Sequence, residues 1–125
     1  MKSKYRAKKT FVDGIRFDSV REARRYKELK LLERAGEIKE LRMQVKYVLI
    51  PAQYETYKRY GKHGTRLKDG KRIAERECCY IADFCYWDVK KCEEVVEDAK
   101  GVRTKDYIVK RKLMRYVHGI KINEV

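Results

Sequence analysis

A chain of 125 residues can bury one hydrophobic core but not two, so we expect a single domain over residues 1–125. Lysine and arginine number 33 against 19 acidic residues, and the resulting charge of +14, with ten tyrosines, predicts a polyanionic partner, most simply nucleic acid. No segment approaches the roughly 20 apolar residues that span a bilayer, and no apolar leader opens the chain, so we expect a cytoplasmic protein without a membrane partner.

Two short features precede the first predicted helix. Residues 1–9 carry five basic side chains and predict a basic arm, which either lies along a phosphate backbone or serves as a solubilising tail. Residues 10–17 form two short apolar runs joined by Asp13 and Gly14, a dipeptide typical of two-residue turns. We therefore predict an N-terminal β-hairpin.

The first helix is predicted over residues 19–35, with Asp18 or Ser19 as N-cap and Gly36 as the stop. Its apolar residues recur at helical spacing and are Ala23, Tyr26, Leu29 and Leu32. Glu22 lies in the first turn at the edge of this stripe, where its carboxylate would partly face the core. It is a candidate metal ligand, and a capping-box contact with Ser19 or a surface ion pair is the alternative.

A first core strand is predicted over residues 39–50, with Gln44 on its polar face as either a supporting contact of the site or a solvated sheet residue. Residues 52–77 are polar, basic and punctuated by glycine, with tyrosines interleaved. This composition predicts a basic and aromatic loop insertion that contacts nucleic acid, a long solvated hairpin being the alternative. The candidate nucleic-acid contacts in this segment are Lys58, Arg59, Lys62 and Arg66.

The next two predicted strands each hold an acid in an apolar setting. Residues 78–87 are apolar on both faces except for Asp83, and residues 92–100 end in Asp98 and Lys100, which alternation places on one face. A hairpin of these strands, with a stagger or bulge of one or two residues, would bring Asp83 near Asp98. Burying such groups costs desolvation energy, so we interpret them as functional, the alternative being solvated residues at a strand end.

A second helix is predicted over residues 105–118, with Thr104 as N-cap and Gly119 as the stop, followed by a short strand over residues 120–125. The basic side chains of this helix that we expect to reach phosphates are Lys105, Lys110 and Arg111.

The four cysteines, Cys78, Cys79, Cys85 and Cys92, lack C-x-x-C spacing and a secretory context. We therefore expect free thiols, of which Cys78, Cys79 and Cys85 lie in one strand-like run and pack as small hydrophobes, a zinc site with His63 being the alternative.

The predicted order of helix, three strands, helix and strand, with its acids, resembles the core of the PD-(D/E)XK nuclease superfamily, which includes restriction endonucleases and Holliday junction resolvases. The chain looks most similar to a family of small phage and prophage proteins of unassigned function within that superfamily. The matching stretches are residues 17–23 (FDSVREA), 80–84 (YIADF) and 96–101 (VEDAKG). Ala82 stands where the superfamily often has proline, which there shapes the backbone and takes no part in the chemistry.

The resemblance implies an α/β (α+β) fold with a restriction-endonuclease-like αβββαβ core, a central mixed sheet flanked by helices, preceded by the N-terminal β-hairpin. It implies a Mg²⁺ or Mn²⁺ site built from Asp83, Asp98, the carbonyl of Ala99 and Glu22, a donor set that suits hard divalent ions. The catalytic residues would be Glu22, Asp83, Asp98 and Lys100, with Lys100 orienting the attacking water and stabilising negative charge. Glu97, which alternation turns away from Lys100, is the second-choice ligand.

We therefore predict a metal-dependent DNA endonuclease, encoded by a phage and acting in bacterial cytoplasm, that nicks DNA or selects branched DNA such as Holliday junctions. A homodimer would follow if two strands must be cut. The alternative is a non-catalytic basic nucleic-acid-binding module with a nuclease-like fold. That alternative accounts for the charge and the tyrosines but leaves three acids unexplained in a chain whose partner is an anion.

Overall fold

The computed structural model describes residues 9–125, so the predicted basic arm lies, apart from Lys9, outside the described residues. Within that range the elements are β1 (Thr10–Val12), β2 (Ile15–Phe17), α1 (Val20–Arg34), β3 (Ile38–Ile50), β4 (Gln53–Tyr60), β5 (Arg66–Glu75), β6 (Cys78–Asp88), β7 (Glu93–Asp98), α2 (Lys105–His118) and β8 (Asn123–Glu124). Neither of these two helices is long and apolar enough to cross a membrane.

The central sheet has the strand order β3-β6-β7-β8. It is mixed, because β6 is antiparallel to both β3 and β7, whereas β8 runs parallel to β7. A separate two-stranded sheet joins β1 and β2. Its turn residues Asp13 and Gly14 both have positive φ angles, of 53° and 75°, as a type I′ hairpin turn requires. The predicted N-terminal hairpin and mixed sheet are therefore confirmed.

The two helices cover opposite faces of the central sheet and give each face its own apolar core. On the α1 face the buried cluster includes Leu29 and Phe84, and on the α2 face it includes Ala82 and Met114. Burying side chains of the size of Leu29 or Phe84 stabilises the fold by about 1.5–3 kcal/mol each. The predicted α+β class, with helices flanking a central sheet, is confirmed.

The helix ends follow the predicted capping residues closely. Ser19 accepts a hydrogen bond from the Glu22 backbone N–H at 3.1 Å, and Thr104 accepts one from the Tyr107 N–H at 3.1 Å. Gly119 closes α2 in the left-handed region, with φ of 67°, where only glycine is free of steric cost. These caps place the first turns of both helices beside the end of β7.

Residues 52–77 form a β-hairpin and not a loop insertion, the two interpretations between which the sequence did not decide. β4 and β5 pair antiparallel in a sheet of their own, and almost every residue of both strands is exposed. Since neither face of the hairpin is buried against the core, its sequence lacks the alternation of apolar and polar residues that identifies a half-buried strand. The alternative interpretation of the segment, a long solvated hairpin, is the correct one.

The central sheet changes faces at one point, and that point matters for the candidate site. Met43 and Phe84 belong to the α1 core, whereas Val45 and Ala82, two residues along the same paired strands, belong to the α2 core. Residues two apart in a regular strand share a face, so the alternation is interrupted between these pairs. Gln44 sits at the interruption with a left-handed φ of 53°, and Asp83 occupies the corresponding place on β6.

Candidate active site

Asp83 and Asp98 meet across the β6–β7 ladder. The register pairs Phe84 with Glu97, so the next position along the ladder brings Asp83 opposite Asp98. The Ala99 backbone N–H donates to Asp83 Oδ2 at 2.9 Å, and Asp98 is near enough to raise the pKa of Asp83. The proximity that the sequence allowed is therefore present in the fold.

The end of β7 is held in place by the last strand. The Val125 N–H donates to the Asp98 carbonyl at 3.0 Å, and the Lys100 N–H donates to the Val125 carbonyl at 3.2 Å. These bonds continue the parallel pairing of β8 with β7 past the last assigned residue of each strand. The backbone on both sides of Ala99 is thereby fixed, which fixes the directions of the Asp98 and Lys100 side chains.

Asp83 and Asp98 place negative charge where little water can solvate it. Asp98 is only 2% exposed, and its Oδ2 accepts a hydrogen bond from the Tyr80 hydroxyl. Burial, followed by the hydrogen bond and charge of Asp98, raises the pKa of Asp83 to about 8. Burial and Asp98 also raise the pKa of the Tyr80 hydroxyl, which therefore remains a donor. Two adjacent carboxyl groups with so little positive charge near them share a proton unless a cation binds between them.

Glu22 faces the same place from the first turn of α1. The side chain is buried, with 7% of the residue exposed, and its Oε1 accepts a hydrogen bond from Gln44 Nε2 at 2.9 Å. Burial raises the pKa of Glu22, and the negative charges of Asp18 and Asp98 raise it further. The Ser19 cap uses only the Glu22 backbone N–H, so the capping box that we considered leaves this carboxylate available to the site.

Gln44 supports the site, although its side chain is partly in solvent. We considered a solvated sheet residue the better interpretation, and the residue is indeed exposed. Its left-handed backbone nevertheless lies at the face change of β3 and turns the amide toward Glu22. In the sequence, a polar residue in a strand was the only sign of this role, because a residue pattern does not reveal the left-handed backbone of Gln44.

Lys100 points at Asp98, as alternation along the strand predicts. Its Nζ lies 3.5 Å from Asp98 Oδ1 and 4.5 Å from the centroid of the Tyr107 ring. The ring is on α2 and carries a hydroxyl that has no hydrogen-bond partner among the described atoms. An ammonium held between a carboxylate and an aromatic face is restrained in position while it stays partly accessible. Tyr107 was not identified from the sequence, where it is one apolar helix position among several.

Glu97 turns to the other face of the sheet and is fully engaged there. It is completely buried, accepts from Arg25 Nε at 2.8 Å and Nη2 at 2.7 Å, and accepts from the Tyr86 hydroxyl. Its turn away from Lys100, which alternation predicts, is thus observed. We withdraw Glu97 as the second-choice metal ligand, because both carboxylate oxygens are already bonded on the side away from Asp98.

These side chains line a cleft of about 460 Å³ between α1, β6 and the start of α2. Its lining includes Glu22, Asp83, Asp98 and Lys100, and Lys110 of α2 lies at the same cleft. The elements therefore bring all four predicted catalytic residues to one opening. A cleft of this size admits a phosphodiester group with part of its sugar neighbours.

The donor set suits a hard divalent cation but is not a closed cage. Within residues 9–125, no three Asp, Glu, His or Cys side chains are arranged as a group that could hold a metal ion by themselves. Mg²⁺ in phosphate chemistry usually binds one or two carboxylates and keeps several waters for exchange with substrate oxygens. The adjacent carboxyls of Asp83 and Asp98, with raised pKa at Asp83, fit that requirement.

The predicted phosphate contacts are divided between two places. Lys58, Arg59, Lys62 and Arg66 lie on the β4–β5 hairpin or its turn, outside the central sheet. On α2, Arg111 is paired with Glu124 at 3.3 Å and Lys110 with Asp106 at 3.4 Å. Lys110 still reaches the cleft, whereas Arg111 shares the Glu124 carboxylate with Arg103.

The cysteines are free thiols. Cys85 is buried in the α2 core, and Cys92 is exposed at the β6–β7 turn. No disulfide occurs among the described residues, as expected.

A comparison with protein families finds one match over almost the whole chain. A family model described as "Protein of unknown function (DUF1064)" matches residues 2–123. No curated protein and no solved structure matches the chain significantly. The activity therefore has to be argued from the site itself.

Proposed function

The chain belongs to the DUF1064 family, and we propose that it is a metal-dependent endonuclease that hydrolyses phosphodiester bonds in DNA, with Mg²⁺ or Mn²⁺ as cofactor. The observation that carries this proposal is the contact between Asp83 and Asp98 beside Lys100, in a cleft of a chain with charge +14. Acids repel phosphate, so a strongly basic protein that binds an anion gains nothing from burying them unless a cation lies between.

Each residue of the site would have a distinct role in the proposed reaction. Asp83, Asp98 and the carbonyl of Ala99 would hold the ion, with Glu22 bound directly or through water. The ion would supply Lewis-acid stabilisation of the phosphate and of the leaving oxygen. The Lys100 ammonium, 3.5 Å from Asp98, would lie against the attacked phosphate, orient the attacking water and stabilise the negative charge that develops. Gln44 would keep the Glu22 carboxylate turned toward the cleft.

The resemblance to the PD-(D/E)XK superfamily supports the same proposal. Its three stretches, residues 17–23, 80–84 and 96–101, supply Glu22, Asp83 and the Asp98–Lys100 pair, which all line one cleft. Short motifs match by chance, but three that converge in space are harder to explain by chance than three that are merely in sequence order. Structured DNA, such as a four-way junction, and a homodimer that cuts two strands remain part of this proposal.

The second candidate is a nucleic-acid-binding module that does not cut. It is favoured by one observation, the lack of a three-acid metal group among the described residues. It gives no reason for the buried carboxyls to be adjacent, since a binding protein would be more stable with apolar residues at those positions.

The deciding experiment compares Asp98→Asn with Asp106→Asn. Asp106 is an exposed acid at the same cleft and serves as the matched control. We expect Asp98→Asn to abolish Mg²⁺- or Mn²⁺-dependent nicking of plasmid and branched DNA while DNA affinity is unchanged or higher, and Asp106→Asn to remain active. A panel of linear, flapped, four-way and single-stranded substrates identifies the preferred DNA. If the wild type cuts none of them with any divalent ion, the endonuclease proposal is wrong and the binding module replaces it.

A further inference from the structure

The β4–β5 hairpin is an exposed two-stranded ribbon that contributes no residue to either apolar core of the described chain. It forms its own two-stranded sheet, and its strands are exposed along their length. Residues 53–75 include seven basic and three acidic side chains. An isolated two-stranded hairpin is only marginally stable in water, and exposed tyrosines and aliphatic residues add to the cost of keeping one. The distribution of its side chains between the two faces indicates what the hairpin can bind.

The strand register separates the hairpin into two chemically different faces. Side chains alternate along β4, and the paired residues of β5 share the face of their partners. One face, which we call the cationic face, consists of Tyr54, Lys58, Tyr60, Arg66, Lys71 and Ile73. The other, which we call the paired face, consists of Glu55, Tyr57, Arg59, Leu67, Gly70 and Arg72. The cation–ring contacts respect this division, because each joins two residues of the same face.

The paired face is occupied with holding the hairpin together. Arg72 Nε donates to Glu55 at 2.6 Å, and the Arg72 guanidinium lies 4.9 Å from the Tyr57 ring centroid. The Tyr57 ring lies across Gly70 so closely that a Cβ at that position would overlap it. An aromatic ring over a cross-strand glycine is a known means of stabilising a hairpin. The face thus supplies mainly internal contacts. Its one basic side chain without a described ion pair is Arg59, which the sequence predicted as a phosphate contact and which would point away from DNA bound to the cationic face.

Two of the three basic side chains on the cationic face are not neutralised within the hairpin, whereas the third, Arg66, pairs with Asp69 at 2.7 Å. Neither Lys58 nor Lys71 forms an ion pair with any residue that the structure describes. The Lys71 ammonium lies 4.5 Å from the Tyr54 ring centroid, and the Arg66 guanidinium lies 5.7 Å from that of Tyr60. Both tyrosines remain more than half exposed, and each ring holds a cation near it, which fixes the position of that charge for a phosphate. This arrangement favours phosphate groups over unpaired bases as the ligand.

We propose that the cationic face of the β4–β5 hairpin binds the phosphate backbone of duplex DNA as a two-stranded ribbon. Eight residues of β4 extend over about 26 Å, and the major groove of B-DNA admits a ribbon of two strands. A second copy of this chain does not fit the face, because two such faces repel each other. The choice of DNA rests on the proposed function, whereas the location of the contact rests on the hairpin alone.

Neighbouring residues on opposite faces provide a closely matched test. Lys58→Gln/Lys71→Gln removes two charges from the cationic face, and Arg59→Gln/Arg72→Gln removes two from the paired face. We would measure the affinity of the full chain for a fluorescent duplex in EDTA, across a series of salt concentrations. We expect the first variant to weaken binding about tenfold and to lower the salt slope by about 2, and the second to change affinity less than about threefold. Lys58→Arg/Lys71→Arg should retain binding.

Each other outcome is decisive. Equal losses in the two variants would show general attraction to charge and overturn the face assignment. No loss in either, or tighter binding of a single strand of the same sequence than of the duplex, would also overturn the inference. Lys58→Gln alone keeps the test valid if Lys71→Gln disturbs the hairpin, because Lys58 makes no hydrogen bond or ion pair with a described residue. EDTA excludes cleavage from this measurement, so a wild type that binds through the cationic face but never cuts would refute only the endonuclease.

Discussion

The ion pair of Glu97 with Arg25 offers the sharpest test of how the fold tolerates acids next to its candidate site. Arg25→Met removes both guanidinium donors and keeps much of the apolar stem of the side chain. Glu97 is completely buried, so its carboxylate has no route to water once Arg25 is gone. Only the Tyr86 hydroxyl would remain as its donor among the described contacts.

The expected loss of stability is large for one residue at a helix surface. Removing one partner of a buried ion pair costs about 3–5 kcal/mol, mostly because the other charge stays buried. Arg25 keeps 22% of its side chain exposed and also contacts the exposed Glu28, a pair that contributes little. We therefore expect the lower end of the range, about 3 kcal/mol, which lowers the melting temperature of a 125-residue domain by about 12 °C.

Urea and thermal unfolding followed by circular dichroism would measure the change. Arg24→Met is the control, since Arg24 is the neighbouring exposed arginine of α1 and makes no described ion pair. The double variant Arg25→Met/Glu97→Gln should recover most of the stability, because the substituted amide would carry no charge and could still accept a hydrogen bond from Tyr86. If Arg25→Met costs no more than Arg24→Met, Glu97 is not held by its arginine and the reasoning is wrong.

Two further predictions concern the cleft. In the folded chain the pKa of Asp83 is raised to about 8 from 3.8, so without metal the folded chain keeps a proton that the unfolded chain releases. The free energy of unfolding in EDTA should therefore fall as the pH rises from about 4 to about 8, and Asp83→Asn should flatten this dependence. Unfolding by urea at pH 5 and pH 8 checks it, and an equal pH dependence in both proteins would contradict it. Tyr107→Phe should cleave DNA within about threefold of the wild type, whereas Tyr107→Leu, which removes the ring under Lys100, should lose about tenfold. Equal rates for the two variants would show that the ring does not position Lys100.

Much of the candidate site could be predicted from the sequence because its signals are local. Alternation along one strand suffices to place Asp98 and Lys100 together and to turn Glu97 away. A short turn between two strands suffices to bring Asp83 close to Asp98, up to a stagger that only the register decides. Capping residues are equally local, and Ser19 fixes where the first turn of α1, with Glu22, begins.

The features that the sequence did not predict depend on contacts between distant segments. Arg25 is one of several arginines on α1, and nothing in its neighbourhood distinguishes it from Arg24 until the helix is packed against Glu97, 72 residues away. The role of Gln44 depends on a left-handed backbone in a strand, where most residues avoid that conformation. The sequence did not decide between a loop and a hairpin over residues 53–75 for a different reason: the core buries neither face of the hairpin, so the usual alternation is absent.

The two neighbouring acids at the end of β7 provide the strongest argument about the site, because they share one backbone and receive opposite treatment. Glu97 is neutralised by two hydrogen bonds from an arginine and one from a tyrosine. Asp98, almost as deeply buried, has the Tyr80 hydroxyl, a lysine at 3.5 Å and a second carboxyl against it. The chain has many spare arginines, so compensation of Asp98 in the same manner was available to it. A fold that neutralises one buried acid and leaves the next pair short of positive charge supports the proposal that a cation binds there.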